Sequence, residues 1–196
     1  MDDGISIPTI GGSGAKYLQT IMRSKYREVS LSQEYNMQGD YSLHFEKLDQ
    51  IDRTLVLYKS KFNKLDFSDM ISQYIESVEA PYLDLLIVDE AQDLTPLQWT
   101  MVEKMSENAE EIIIAGDDDQ AIHRWTGVNV QRFVDSSDRV KVLNKSYRLP
   151  RSVWSLAERI SRRIPNRIPK EFYPREEEGR VDWVWRVSDL PLDQGS

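Results

Sequence analysis

The chain has 196 residues, of which 40% are hydrophobic and 30% charged, enough for one good core with a small appendage. It has no run near the ~18–20 apolar residues that cross a bilayer, no basic and apolar blocks of a secretory signal at its start, and no cysteine; disulfides and thiolate metal sites are excluded, and the pattern fits a cytosolic protein. A formal net charge of −8 argues against a nucleic-acid binder that works by bulk electrostatics, so any such contact has to be local.

Residues 1–16 are rich in Gly, Asp and Ser. Gly11-Gly12-Ser13-Gly14-Ala15-Lys16 invites comparison with a phosphate loop but fails it: Ala15 separates Gly14 from Lys16, Tyr17 follows the lysine, and no apolar strand precedes. The segment is expected to be a flexible linker. A helix is expected over Tyr17–Glu28, and a loop or short helices over 29–43, broken by Gly39. Phe45–Phe62 is the clearest helix of the first half, with Phe45, Leu48, Ile51, Leu55 and Tyr58 at helical spacing. Lys59, Lys61 and Lys64 near its end suit the negative helix terminus and read as a solvated face, with phosphate-backbone contact the lesser alternative. Ser68 or Asp66 is positioned to cap a helix running to about Val78, whose stripe of Phe67, Met70, Ile71, Tyr74 and Ile75 is expected in the core.

After Pro81 comes Leu83–Asp93, LDLLIVDEAQD, where an apolar run ends abruptly in Asp89, Glu90 and Asp93. A continuous apolar run is what a strand buried on both faces needs, and in open α/β sheets ligands bind beyond the carboxyl ends of such strands. Adjacent carboxylates there suit a divalent metal and the activation of a water. A strand followed by an acidic helix start explains the same letters. Thr95-Pro96 then begins a helix with Leu97, Met101, Val102 and Met105 inward. Ile112–Ala115 reads as a second buried strand, and it too ends in acid, at Asp117-Asp118-Asp119-Gln120. Two strands joined by one helix make a βαβ unit, which should turn both acidic ends toward one crevice.

In Ala121–Gly127, Trp125 with Arg124 could stack on a nucleic-acid base, at about 1–3 kcal/mol; a core Trp beside a surface Arg is the other explanation. Val128–Val134 reads as a short helix, and Arg139–Leu143 as a third strand that would bring Tyr147 and Arg148 near the same edge. Arg148 there could hold a phosphate, or form an ordinary surface ion pair. Pro150 and Ser152 open a helix whose far end, with Arg159, Arg162, Arg163 and Arg167, is the best basic patch of the chain. Residues 165–179 look like a linker, and Val181–Val187, with Trp183 and Trp185, like a short strand.

Taken in order, these motifs resemble one family. They are similar to the first RecA-like domain of superfamily 1 helicases of the UvrD/Rep/PcrA type. Val88-Asp89-Glu90-Ala91-Gln92-Asp93 resembles the Walker B motif, or helicase motif II; Ala115–Gly127 resembles motif III; Leu143-Asn144-Lys145-Ser146-Tyr147-Arg148 resembles motif IV. Leu65–Ile71 is similar to the Asp-Phe-x-Asp segment that precedes motif II, and DEAQDLTPLQ has the flavour of phage and small bacterial members. The match covers about residues 65–150 and weakens toward 180.

The resemblance implies an incomplete RecA-like (P-loop NTPase) α/β fold, a parallel sheet flanked by helices and lacking the phosphate-loop strand. Its bounds would be a linker over 1–16, a partial motor domain over 17–164, and a linker with the start of a following domain over 165–196. It implies Mg²⁺ on Asp89, with Glu90 beside the metal to orient or deprotonate the attacking water. Gln120 would sense the γ-phosphate of ATP, Tyr147 would pack on adenine, and Arg148 would contact the γ-phosphate. Trp125, with His123 and Arg124, would meet single-stranded DNA. The Gly-Lys-Thr loop and the second-domain motifs are not in the sequence, Thr126 stands where many members carry Arg, and His123 replaces a frequent Tyr. The expectation is therefore a fragment of an ATP-dependent DNA helicase of the cytoplasm of a bacterial or phage-infected cell. It would be inactive alone, partnered by the missing helicase segments or by replication or repair proteins, and in no contact with a membrane. A non-enzymatic DNA- or partner-binding module derived from a helicase, and a metal hydrolase using Asp89 and Glu90, are the alternatives.

Overall fold

The structure is a computed structural model that describes residues 13–40, 42–121, 128, 130–137, 139–164 and 170–186. The expectations placed on residues 1–12, on His123, Arg124, Trp125 and Thr126, on Arg167 and on Val187 lie outside them. The chain packs as two compact units, Met1–Ser136 and Ser137–Ser196.

The first unit opens with a helical group. Helix α1 (Ser13–Tyr26) starts earlier than expected, so Ser13–Lys16 is a helical turn and not the end of a linker. Lys16 reaches Asp40 at 3.0 Å and Ser42 at 3.2 Å, which gives it a structural partner. Helix α2 (Leu31–Gln38) begins at a reciprocal Ser30–Gln33 cap and ends at Gly39, whose φ of 62° suits glycine. Helix α3 (Phe45–Phe62) has the expected bounds. Tyr17, Ile21, Leu43 and Leu48 form the buried centre of this group, with Leu31, Tyr35, Ile51 and Leu55 packed around it. Glu34 is also in this interior, 0% exposed, held by Arg23 at 3.3 Å and Arg27 at 3.0 Å.

Helix α4 (Phe67–Ser77) is capped by Asp66, which accepts from the Asp69 N–H while Asp69 accepts from the Asp66 N–H. Ser68 is buried and donates its hydroxyl to Asp66 at 2.6 Å. Lys59 leaves the expected solvated face: it pairs with Asp66 and, at 2.6 Å, with Asp69, while Lys25 reaches Asp69 at 2.9 Å and Asp66 at 3.6 Å. Burial opposes the charge on Lys59, but the hydrogen bonds it donates to both carboxylates outweigh it and push its pKa up to about 12. Burial likewise opposes charge on Asp66 and Asp69, and the lysines and cap N–H groups hold both carboxyls below the usual range. The helix turns Ile71, Tyr74 and Ile75 partly inward. Phe67, expected in the core, is 56% exposed, and Met70 is exposed as well, because the capping network fixes the rotation of the first turn.

Strand β1 (Leu83–Val88), helix α5 (Pro96–Ser106) and strand β2 (Ala109–Ile114) form the expected parallel βαβ unit, with Val88 opposite Ile114. Thr95 caps α5 in a reciprocal pair with Gln98, and Pro96 takes its first position. Leu86, Val88, Ala91, Trp99 and Val102 make the core beside the sheet. Burial of β1 on both faces is not observed. Leu86 and Val88 point into the core, whereas Leu85, Ile87 (61% exposed) and the neighbouring Ile113 face outward. The apolar run has α5 on one side and, among the described residues, no cover on the other. A short helix α6 (Val130–Val134) follows and packs near the turns after both strands.

In the second unit Arg139–Leu143 is irregular, not a third strand; Val140, Val142 and Leu143 are exposed. A single strand cannot satisfy its backbone without a neighbour, and the only parallel pairing there among the described residues is the Lys145–Tyr173 bridge. Helix α7 (Arg151–Ser161) starts after Pro150. Residues 171–179 are tied back by hydrogen bonds, among them Ser146 N–H to Tyr173 O at 2.8 Å, Arg175 N–H to Leu149 O at 3.0 Å and Ser152 N–H to Glu178 O at 2.9 Å. Residues 181–186 form no strand, and Trp185 is 99% exposed.

Candidate functional site

The parallel register sets the ends of β1 and β2 side by side. The Ala115 N–H donates to Val88 O at 2.8 Å, and the Ala91 N–H donates back to Ala115 O at 2.9 Å. The backbone leaves β1 through Glu90, which sits in the left-handed region at φ 51°, ψ 38°. For a residue with a side chain this costs roughly 1–2 kcal/mol, and such strain concentrates at functional sites. The turn keeps the side chains of Asp89 and Glu90 exposed beyond the sheet edge. Asp89 accepts the Glu90 N–H at 2.9 Å. Among the described residues no lysine or arginine pairs with either carboxylate.

Gln92, one turn further on, is 1% exposed. Its Nε2 donates to Glu90 Oε2 at 2.6 Å, and its Oε1 accepts the Asp117 N–H at 2.9 Å. Asp117 in turn caps the short 3₁₀ turn Asp118–Gln120, and its Oδ2 accepts from Gln120 Nε2 at 2.6 Å. Asp89, Glu90 and Gln120 are thus gathered at one sheet edge, as the two acidic strand ends led us to expect. Sequence reasoning does not reach Gln92: its spacing of two from Glu90 is visible, but the N–H it accepts, that of Asp117, lies beyond the end of β2.

Tyr147 and Arg148 belong to the second unit. Tyr147 is 80% exposed with Lys145 Nζ 5.1 Å from its ring centre. Arg148 is exposed and its backbone N–H donates to Ser146 Oγ at 3.2 Å. It has no acidic partner among the described residues. In the basic helix end, Arg162 is paired with Glu158 at 2.9 Å.

No group of three or more His, Cys or acidic side chains suited to a metal occurs among the described residues. Two adjacent carboxylates do not make a protein cage. They fit Mg²⁺, which usually takes one or two carboxylates and completes its octahedron with phosphate oxygens and water. The donor set therefore fits a metal that arrives with a phosphorylated ligand. No described helix is long and apolar enough to cross a membrane.

Comparison with known proteins gives a match to the family model described as the UvrD/REP helicase N-terminal domain over residues 13–141. The ATP-dependent DNA helicase PcrA of Bacillus subtilis (strain 168) is 27% identical over 143 residues, covering 70% of this chain and 18% of that protein. The PcrA of Leuconostoc citreum is 23% identical over 175 residues, 87% of this chain and 21% of its own length. DNA helicase II of Haemophilus influenzae is 26% identical over 128 residues, 59% of this chain and 18% of its own length. The chain spans about a fifth of the length of these relatives.

Proposed function

Because the chain belongs to the UvrD/REP helicase N-terminal domain family, we propose that it is part of the first, RecA-like motor domain of an ATP-dependent DNA helicase that moves on single-stranded DNA and unwinds duplex. The observation that carries this reading is the pair of parallel strands whose ends bring Asp89, Glu90 and Gln120 to one edge. Asp89 would hold the magnesium of the nucleotide, which would supply charge neutralisation to the phosphates. Glu90 would orient the attacking water and take its proton. Gln120 offers its amide to the γ-phosphate. By the family resemblance, Tyr147 would pack on adenine and Arg148 would contact the γ-phosphate. Trp125, flanked by His123 and Arg124, stacks on a base of single-stranded DNA. Such chemistry is mainly positioning and electrostatics, and it takes place where bacterial DNA and ATP are, in the cytoplasm.

The chain alone is expected to turn over no appreciable ATP, since a phosphate-loop lysine and a second-domain arginine each supply transition-state charge and neither motif is in this sequence. The test is ATP hydrolysis by the purified chain with and without single-stranded DNA. DNA-stimulated turnover that disappears in Glu90→Gln overturns the expected inactivity while upholding the site. A second reading, a non-enzymatic binding module, draws on the exposed aliphatic face of Leu85, Ile87 and Ile113. Nucleotide-independent single-strand binding that is lost in Trp125→Ala favours it.

A further inference from the structure

We propose that Gln92 is a positioning residue that ties Glu90 to Gln120 through one continuous relay of hydrogen bonds. A change at the water-activating carboxylate is thereby felt at the phosphate-sensing amide. The inference rests on the roles given above to Glu90 and Gln120, but the relay itself is defined by geometry. It runs from Glu90 Oε2 to Gln92 Nε2 (2.6 Å), from Gln92 Oε1 to the Asp117 N–H (2.9 Å), and from Asp117 Oδ2 to Gln120 Nε2 (2.6 Å).

The amide of Gln92 has one workable orientation. Its oxygen faces a backbone N–H, so its NH₂ has to face the carboxylate; a flip would set donor against donor and oxygen against oxygen. Its seat is shaped for it. A Cβ added at Gly116 would fall 2.5 Å from Gln92 Oε1 and 2.9 Å from the Phe133 ring. Glycine at 116 is therefore a clearance for the amide, with the ring of Phe133 as the opposite wall. Gln92 is also sealed from water at 1% exposure. If Glu90 turns away, Gln92 Nε2 is left as a buried donor without an acceptor, and a buried unmet donor is costly. Gln92 then has to follow or be repaired, and either response is transmitted to Asp117, which holds Gln120. Low local dielectric around the buried Gln92 amide strengthens its own two bonds, whereas the Asp117–Gln120 bond is exposed. An amide can give to a carboxylate through its NH₂ and accept from a backbone N–H through its oxygen at the same time.

The test is NMR on the whole chain without nucleotide, following the Gln120 side-chain amide resonance and the exchange protection of the Asp117 N–H. Glu90→Ala is expected to shift the Gln120 resonance and lower Asp117 protection about tenfold. Gln92→Leu should lower Asp117 protection similarly, and Glu90→Ala added to Gln92→Leu should do nothing more. Amides of Leu86 and Val88 should keep their protection, which a general loss of fold would not allow. Should Gln92→Leu not fold, the equally long Gln92→Glu keeps the acceptor for Asp117 but loses the donor to Glu90. In that background Glu90→Ala should leave Gln120 unmoved. A Gln120 resonance indifferent to Glu90→Ala in the unmodified background, or independent, multiplying effects of the two substitutions on Asp117, overturns the relay. The roles in ATP hydrolysis are judged separately, by adding Mg-AMP-PNP. Absence of any perturbation at Asp89 and Glu90 counts against those roles and leaves the hydrogen-bond result standing.

Discussion

Two pairs of acidic residues in the first unit differ in one respect. Asp66 and Asp69 share two lysines, Lys25 and Lys59, and close a helix cap. Asp89 and Glu90 stand at a strand end with no lysine or arginine among the described residues, and their hydrogen bonds come from one backbone N–H and one neutral amide. The first pair has its counter-charge within the fold, so its work is complete once the chain is folded. The second pair meets no such counter-charge among the described residues, which is the setting the proposed Mg²⁺ role needs. Acidic residues alone do not mark a site; what marks it is whether the protein has already neutralised them.

The comparison has a third member at the buried extreme, and there the largest effect is expected. Glu34→Ala would strand Arg23 and Arg27 around an empty interior position and should cost about 3–5 kcal/mol, the range for breaking a buried ion pair. The urea midpoint measures it, and a loss below about 1 kcal/mol would mean that water reaches the arginines. Next comes Lys59→Met. It leaves two carboxylates to Lys25 alone in a partly exposed setting, and we expect a loss of about 1–3 kcal/mol, below the buried range because solvent screens part of it.

The pH dependence follows from the same network. Asp66 and Asp69 are held below the ordinary carboxylate range when folded, so on acidification the unfolded chain takes up protons first. Their contribution is complete above about pH 3.9 and is lost as pH falls through the lower folded values. Lys59 has the opposite sign. Raised from 10.5 to about 12, it contributes fully below the first value and loses that contribution as pH rises through the second. Unfolding midpoints across pH should therefore decline at both ends, and Lys59→Met should flatten both limbs; identical profiles in the two proteins would refute the assignment. The smallest effect belongs to the sheet edge. Asp89→Asn should change stability by no more than about 0.5 kcal/mol while weakening Mg-nucleotide binding in any preparation that shows it.

Much of the helical frame was legible because its signals are local. The periodicity of Phe45–Phe62 and the Thr95-Pro96 start need only neighbours in sequence. The candidate edge was legible for a related reason: an apolar run that stops at acid twice, one helix apart, implies parallel strands with adjacent ends. What was not legible depends on distant partners. The letters of β1 state that Leu85 and Ile87 are apolar, not that something covers them. Arg139–Leu143 has strand alternation, but alternation does not supply a neighbour. Phe67 has a core residue's chemistry on a helix whose rotation is fixed by Asp66, Asp69 and Lys59. Gln92 reads as a polar residue after a strand, and only the Asp117 N–H, 25 residues away, shows why it is buried.

The outward face of the two-stranded sheet has a consequence of another kind. Leu85, Ile87 and Ile113 hold apolar area in water that parallel sheets ordinarily cover. Any molecule that prefers this face to the unfolded chain adds to stability by mass action, in proportion to the logarithm of its concentration. The melting temperature of the chain is thus not a constant of its sequence but a function of its company, and it should drift upward with apolar ligands that never touch the carboxylates.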